Sequence, residues 1–315
     1  MKSATAFAPA TVANVAVGFD ILGFAIESVG DIVTVSTTDR TTVRIKEIVN
    51  DTSTPGALDI SLDPTRNAAT VGLMKLCDEL RLNFGFDVTI RKGIALGSGM
   101  GGSAASAVAA LVAANSLLEH PLPTHTLLEY ALLGEQAASG TAHADNIAPC
   151  LFGGLTLVLS VHPVRHVRLP VPANILTVLV HPRLRVDTYN ARSILKPSVP
   201  LADHVRQSAN LGGFIAGCFG SDLEMIRHSF SYVVIEPQRA SLIPGFAEVR
   251  AAAMKCGALG ASISGSGPSV FAWVTADEAA AKVRDAMVQA FKSNGITEVD
   301  SWISAVSQQG ATIIR

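Results

Sequence analysis

A chain of 315 residues, 49% hydrophobic and 16% charged, is long enough for two domains with cores of their own. A net charge of -2, an aromatic content of 5% and the lack of a Lys/Arg run exclude the basic footprint and stacking platforms of a nucleic-acid binder. The four cysteines form no Cys-x-x-Cys pair and no apolar run is long enough to span a bilayer, so neither a zinc or redox motif nor a membrane span is expected.

Ser3 to Ala8 is β-like, and Pro9 to Asn14 reads as a loop. Val17-Gly18-Phe19-Asp20 leads into an apolar segment from Ile21 to Ile26. Asp31–Ser36 and Val43–Ile48 alternate as strands do. Asn14 and Asp20 interrupt this apolar region, either as turn formers or as functional groups. The polar stretch 50–66 reads as a surface loop. Asn67 then opens a periodic helix to Leu80, where capping is a sufficient role for it. Phe86–Ile90 is a short strand. It runs into Gly97-Ser98-Gly99-Met100-Gly101-Gly102-Ser103-Ala104-Ala105, which opens an Ala-rich helix to about Leu118.

That glycine stretch is either a turn packing a helix closely on a sheet or an anion cradle. Its glycines allow close backbone approach, and the first helical amides lack intrahelical partners. Gly97, Gly99 and Gly102 fit the dinucleotide pattern G-x-G-x-x-G, but roughly ninety residues precede them and no Gly-Lys-Ser/Thr closes a P-loop. A phosphate cradle of a third kind is left.

Thr126-Leu127-Leu128-Glu129 reads as a capping box opening a helix to about Ser139. Leu128, Leu132 and Glu135 share its apolar face, so Glu135 needs a cation, either a basic side chain or a metal beside the phosphates. His143-Ala144-Asp145-Asn146 is a polar insert, either a hydrogen-bonded turn or a chemical site. Pro163 to Pro172 marks the expected domain boundary, dividing the chain into 1–162 and 163–315. Leu176–His181 is a buried strand, and Asp187-Thr188 starts a helix carrying Arg192. Residues 203–220 form a helix, and another runs from about Pro244 to Cys256. A second glycine cluster, 257–268, precedes a strand (269–274), a helix (276–294) and a closing strand near 301–306. This strand–helix alternation suits a helix-covered sheet. The N-terminus lacks the continuous apolar region of a signal peptide, so a cytoplasmic protein, or an organellar one after processing, is expected.

Three segments resemble the motifs of the GHMP kinases, in order and at suitable spacing. They are Ala8–Asn14 leading to Gly18-Phe19-Asp20, the cradle Leu96–Ala105, and Ile263-Ser264-Gly265-Ser266-Gly267-Pro268. Within that family the chain resembles the homoserine kinase branch. The pieces that carry this are Val17–Asp20, His143–Pro149 and Val234-Ile235-Glu236-Pro237-Gln238-Arg239, with an amide, Asn146, near the place where the mevalonate and galactose branches commonly carry an aspartate base. The resemblance implies an α+β, two-domain GHMP kinase fold: a ribosomal protein S5 domain 2-like N-terminal domain and a ferredoxin-like C-terminal domain. It implies ATP with Mg2+, and L-homoserine as acceptor, in a protein that is commonly a homodimer. ATP would meet Asn67, Ala95, Leu96, Gly97, Ser98, Gly99, Met100, Gly101, Gly102, Ser103, Ala104 and Ala105, with Ser103 and Glu135 on the metal. Homoserine would meet Asn14, Asp20, His143, Asn146 and Thr188, with Arg192 and Arg239 on its carboxylate.

Asn146, Glu135 and Ser103 are the expected catalytic groups, with Asn146 orienting the hydroxyl and no strong base required. Ala95 stands where the family usually has Pro, and Gly102 where it commonly has Ser. An oxidoreductase built on Gly97, Gly99 and Gly102 would leave the other two motifs unexplained. A catalytically dead relative would require loss of Ser103, Glu135 or Asp20, and all are present.

Overall fold

The computed structural model describes residues 2–53, 58–140 and 143–314. It opens with β1 (Ser3–Ala13), β2 (Leu22–Thr38) and β3 (Val43–Asn50), then α1 (Ala68–Glu79), β4 (Gly85–Lys92) and three helices: α2 (Gly102–Asn115), α3 (Thr124–Ser139) and α4 (Ala144–Phe152). A hairpin, β5 (Leu155–Val161) and β6 (Val164–Leu169), leads to β7 (Leu176–Pro182). Helices α5 (Thr188–Ser193), α6 (Leu201–Gly220), α7 (Leu223–Ser229), α8 (Glu236–Arg239) and α9 (Phe246–Lys255) follow. Then come β8 (Gly260–Ile263), β9 (Val270–Val274), α10 (Asp277–Ser293), β10 (Val299–Ala305) and β11 (Thr312–Ile313).

Two sheets result. The first has seven strands, in the order β11-β1-β2-β4-β3 with the β5–β6 hairpin on β2. The second has the order β10-β7-β9-β8 and is antiparallel throughout. Numbered along the chain, its strands lie 4-1-3-2, as expected of a ferredoxin-like half. Helix α2 lies between the first sheet and its flanking helices. Its alanines favour helix and are small enough for it to be buried on nearly all sides. The sheets meet through aromatic rings: Phe24 of β2 lies 5.8 Å from Phe271 and 5.7 Å from Trp273 of β9.

Four local expectations change. Residues Pro9–Ala13 are strand, not loop: β1 continues past a register shift between Pro9 and Thr11 because Ala10, Thr11 and Val12 are buried under the helices. Thr126 caps nothing, since α3 starts at Thr124 behind Pro123 without a side-chain cap. The polar insert is the first turn of α4, with His143 at its N-cap. Finally, Pro163 only turns the β5–β6 hairpin, so the first sheet runs on through Leu169 and takes back Thr312–Ile313. Strand membership thus moves the change of sheet from 162/163 to beyond Leu169.

Candidate active site

In a trans peptide a carbonyl and the following N–H point in opposite directions. The glycine loop is therefore aimed by whatever holds its carbonyls. Gly97 O accepts from Val186 N–H at 3.0 Å, and Met100 O from Thr11 N–H at 3.1 Å. Ser98 O accepts from Ser269 and Gly99 O from Ser264 Oγ at 2.7 Å. Gly101 O accepts from Ala105 N–H at 2.9 Å, and Gly102 O from Lys92 Nζ at 2.8 Å. Every carbonyl from Gly97 to Gly102 is thus tied back into the protein. The amides of Ser98 to Ser103 are turned the other way, and none has a protein acceptor among the described residues. Lying at the N-terminus of α2, they form an anion cradle with the helix dipole behind it.

The loop needs its glycines. Gly97, Gly99 and Gly101 have φ of +60°, +75° and +70°. A Cβ on Gly99 would lie 2.4 Å from Ser264 O, and one on Gly101 would lie 2.1 Å from Thr11 Oγ1.

One cavity of about 350 Å3 runs from this cradle to the other predicted groups. Asn14, Asp20, Asn67, Ala95 to Ser103, Glu135, His143, Asn146, Thr188, Arg192 and Arg239 all line it. Ala104 and Ala105 do not. Both side chains are buried inside α2; the Ala105 amide is spent on Gly101 O, whereas the Ala104 amide, like those of Ser98 to Ser103, has no acceptor among the described residues. Asn67 is the N-cap that its sequence suggests. Its Oδ1 accepts from Ala69 N–H at 3.0 Å and its Nδ2 donates to Ser61 O at 2.8 Å, so its amide is engaged within the protein even where the residue faces the cavity.

At the far end, Arg192 Nη2 lies 2.7 Å from both oxygens of Asp20. Arg239, only 3% exposed, donates from Nε to Ala191 O at 3.1 Å and from Nη1 to Gly265 O at 3.0 Å. Both guanidinium carbons lie over the Phe19 ring, at 5.2 and 5.3 Å. Asn14 works as scaffold. Its φ is +68°, its Oδ1 accepts from Asp20 N–H at 3.0 Å and its Nδ2 donates to Gly265 O at 2.9 Å. It thereby fixes the loop that presents Asp20 and ties the first motif to the third.

The first turn of α4 adds three groups. His143 Nδ1 lies 3.6 Å from Asp20 Oδ2, and its Nε2 is buried without a partner among the described residues. Burial, aided by the two arginines, lowers its pKa against the opposing pull of Asp20. Asp145 is buried at the cavity wall, and its Oδ1 has no partner among the described residues. Burial first, then the charges of Asp20 and Glu135, push its carboxyl up to about 8, so at neutral pH it is mainly the neutral acid. Asn146 Oδ1 accepts from Thr11 Oγ1 at 2.7 Å, which turns the Asn146 amide nitrogen the other way.

Four residues to which the sequence assigns no role of their own shape the site. Thr11 orients Asn146, Ser264 and Ser269 hold cradle carbonyls, and Lys92 props the start of α2. Lys92 is buried against Asp31 and donates to Ser106 Oγ at 2.9 Å. For Lys92 the available signal was a basic side chain at the end of a strand leading into a glycine loop.

Comparison with known proteins shows the family of the chain. The model of the GHMP kinases N terminal domain matches residues 67–154, and that of the GHMP kinases C terminal domain matches residues 214–293. A homoserine kinase of Xanthomonas campestris pv. campestris is 45% identical over 314 residues, covering 100% of this chain and 95% of its own. The chain belongs to the homoserine kinase family. A homoserine kinase of Chlorobaculum tepidum is 43% identical, with 100% and 99% of the two chains covered. The crystal structure of homoserine kinase from Cytophaga hutchinsonii superposes with a TM-score of 0.94 at 43% identity, covering 100% and 98%. At 15% identity, L. major mevalonate kinase in complex with R-mevalonate shares the fold with a TM-score of 0.67. The chain thus has the two-domain GHMP kinase fold, and its membership of the homoserine kinase family makes it a phosphotransferase with an alcohol group as acceptor.

Proposed function

We propose that the cavity transfers the γ-phosphoryl group of ATP to the terminal hydroxyl of L-homoserine, giving O-phospho-L-homoserine for threonine biosynthesis. One observation carries the reading. The Asp20–Arg192 ion pair, with Arg239 beside it, shares a single cavity with the row of cradle amides. Homoserine is a zwitterion. Its ammonium suits Asp20 and its carboxylate suits the arginine forks, so it can take over an internal ion pair group for group without leaving a charge unpaired. The family membership supports the same acceptor.

Phosphoryl transfer passes through a loose transition state, so placement and charge stabilisation dominate. In this reading Asp20, Arg192 and Arg239 hold the amino-acid end. The Asn146 amide, its oxygen taken by Thr11, presents its nitrogen to the acceptor hydroxyl. The amides of Ser98 to Ser103 stabilise charge on the phosphoryl oxygens. His143, held toward the neutral imidazole, borders Asp20 and can accept a proton, while Asp145 enters as a neutral acid. Direct loss of the hydroxyl proton to phosphate needs neither.

Ser103 and Glu135 bring hydroxyl and carboxylate oxygens to the same cavity, hard donors that suit Mg2+. Among the described residues no cluster of three or more His, Cys, Asp or Glu could hold a metal. The donor set therefore fits an ion shared with phosphate oxygens and water. When bound, Mg2+ offsets phosphate charge. A homodimer and a cytoplasmic location belong to the same proposal and rest on the family resemblance.

Incubation with MgATP and L-homoserine, followed by phosphorus NMR, tests the reading. A new phosphomonoester coupled to the terminal methylene is expected. Release of inorganic phosphate without that signal would count against it.

A further inference from the structure

Of the carbonyls behind the cradle, Ser98 O is held by two groups of one side chain's residue. Ser269 donates its N–H at 3.2 Å and its Oγ–H at 2.6 Å. Ser269 is fully buried and follows the third glycine motif. Its Oγ also lies 3.1 Å from Nδ1 of His181, at the end of β7 in the second sheet. A hydroxyl carries one proton. With that proton on Ser98 O, Ser269 Oγ is the acceptor toward His181, so His181 carries its hydrogen on Nδ1. The ring is 2% exposed, and burial lowers its pKa to about 4, which keeps this neutral form across the working pH range. Asp300 raises that value and Arg183 lowers it, both less than burial does.

The peptide between Ser98 and Gly99 is rigid, so holding Ser98 O also sets the direction of Gly99 N–H. Gly99 has φ +75° and no side chain of its own to hold it. We propose that Ser269 and His181 are positioning residues for phosphate binding: the hydrogen-bond chain His181–Ser269–Ser98 aims the Gly99 amide at the phosphates of ATP. This rests on the reading of the cradle as the ATP site. Neither residue lines the substrate cavity. His181 instead borders a second cavity of about 320 Å3 behind the loop, with Ala95 and Met100 on its wall. The pair therefore acts through the backbone.

The test measures the Kd of MgATP by calorimetry without acceptor, with separate KM values for ATP and homoserine and the thermal midpoint, for wild type, Ser269→Ala, His181→Phe and His181→Asn. Losing one hydrogen bond of ordinary strength predicts ATP affinity weaker by roughly fivefold in Ser269→Ala, with the homoserine KM within about twofold of wild type. His181→Phe shifts the same way. His181→Asn, which keeps a donor near the Nδ1 position, restores ATP affinity to within about twofold. A merely structural role would lower the thermal midpoint while leaving the ATP Kd of the folded enzyme in place, and that result overturns the proposal. Equal changes in both KM values overturn it as well. If Ser269→Ala does not fold, the two His181 variants decide: like ATP affinities in Phe and Asn overturn it, and loss in Phe with recovery in Asn supports it. Wild type without measurable ATP binding would remove the ATP-site reading itself, whereas wild-type binding with unaffected variants removes only the positioning role.

Discussion

At Asn146 the orientation of an amide is set from outside the residue. Thr11 Oγ1 donates to its oxygen at 2.7 Å, so the choice between presenting oxygen or nitrogen to the cavity is made by a buried threonine of β1. Thr11→Val keeps the shape and removes that donor. Losing about 1–2 kcal/mol of orientation predicts a kcat lower by about tenfold, with the KM for ATP little changed; steady-state kinetics with full kcat would contradict it. Asp145 gives a pH signature. Its carboxyl stays protonated to about 8 in the folded protein, against an unfolded value near 3.9. Between these two values the folded state holds the extra proton, so stability is fully present below the lower one and is lost as pH rises to the upper one. Asp145→Asn removes the group. Its thermal midpoint should gain on wild type steadily from pH 5 to pH 8, and parallel curves would refute the assignment. Both effects were hidden in the sequence. Asn146 and Asp145 stand out as a polar insert, but Thr11 reads as one more loop residue and burial has no local sign.

The elements behind the cradle are joined by one buried charge. Lys92 closes β4, Asp31 lies in β2 and Ser106 in α2, and Lys92 Nζ meets both side chains and Gly102 O. Asp31 also accepts from Gly93 and Ile94 N–H, at 3.0 and 3.1 Å, and from Ser106 Oγ at 2.7 Å. Lys92→Met leaves a buried carboxylate without its cation and is expected to cost about 3–5 kcal/mol in chemical denaturation. Adding Asp31→Asn should recover part of that loss; no recovery would mean that the lysine stem, not its charge, is what matters. The element pattern itself was largely legible. The sequence located α1, α2, α6 and α10 to within a few residues, α1 by its periodicity and α2 by its alanines, and likewise β3, by its alternation, with β7 and β9. The misreadings have a common cause. Pro9 and Pro163 look like breaks, yet one sits at a register shift and the other turns a hairpin, where a missing N–H costs little. Thr126 fits a capping pattern, but the chain had already entered the helix behind Pro123.

At the scale of the molecule, three glycine-bearing or polar motifs far apart in the chain meet in one cavity. Asn14 donates to Gly265 O across 251 positions of sequence, and the aromatic contact of Phe24 with Phe271 and Trp273 holds the two sheets together near that junction. The motifs were legible because each gathers its glycines or polar groups within a short stretch of sequence. The particular roles of Lys92, Thr11, Ser264 and Ser269 were not, because each holds a group of another segment and only the fold pairs them. The arrangement makes a single demand: one end of the cavity must select a small zwitterion while the other holds ATP. The most direct measurement is ADP release with MgATP in parallel with L-homoserine, L-serine, mevalonate and galactose. The account predicts strong turnover with L-homoserine alone. Turnover with mevalonate or galactose and none with homoserine would leave the cradle in place but contradict the assignment of Asp20, Arg192 and Arg239 to an amino-acid substrate.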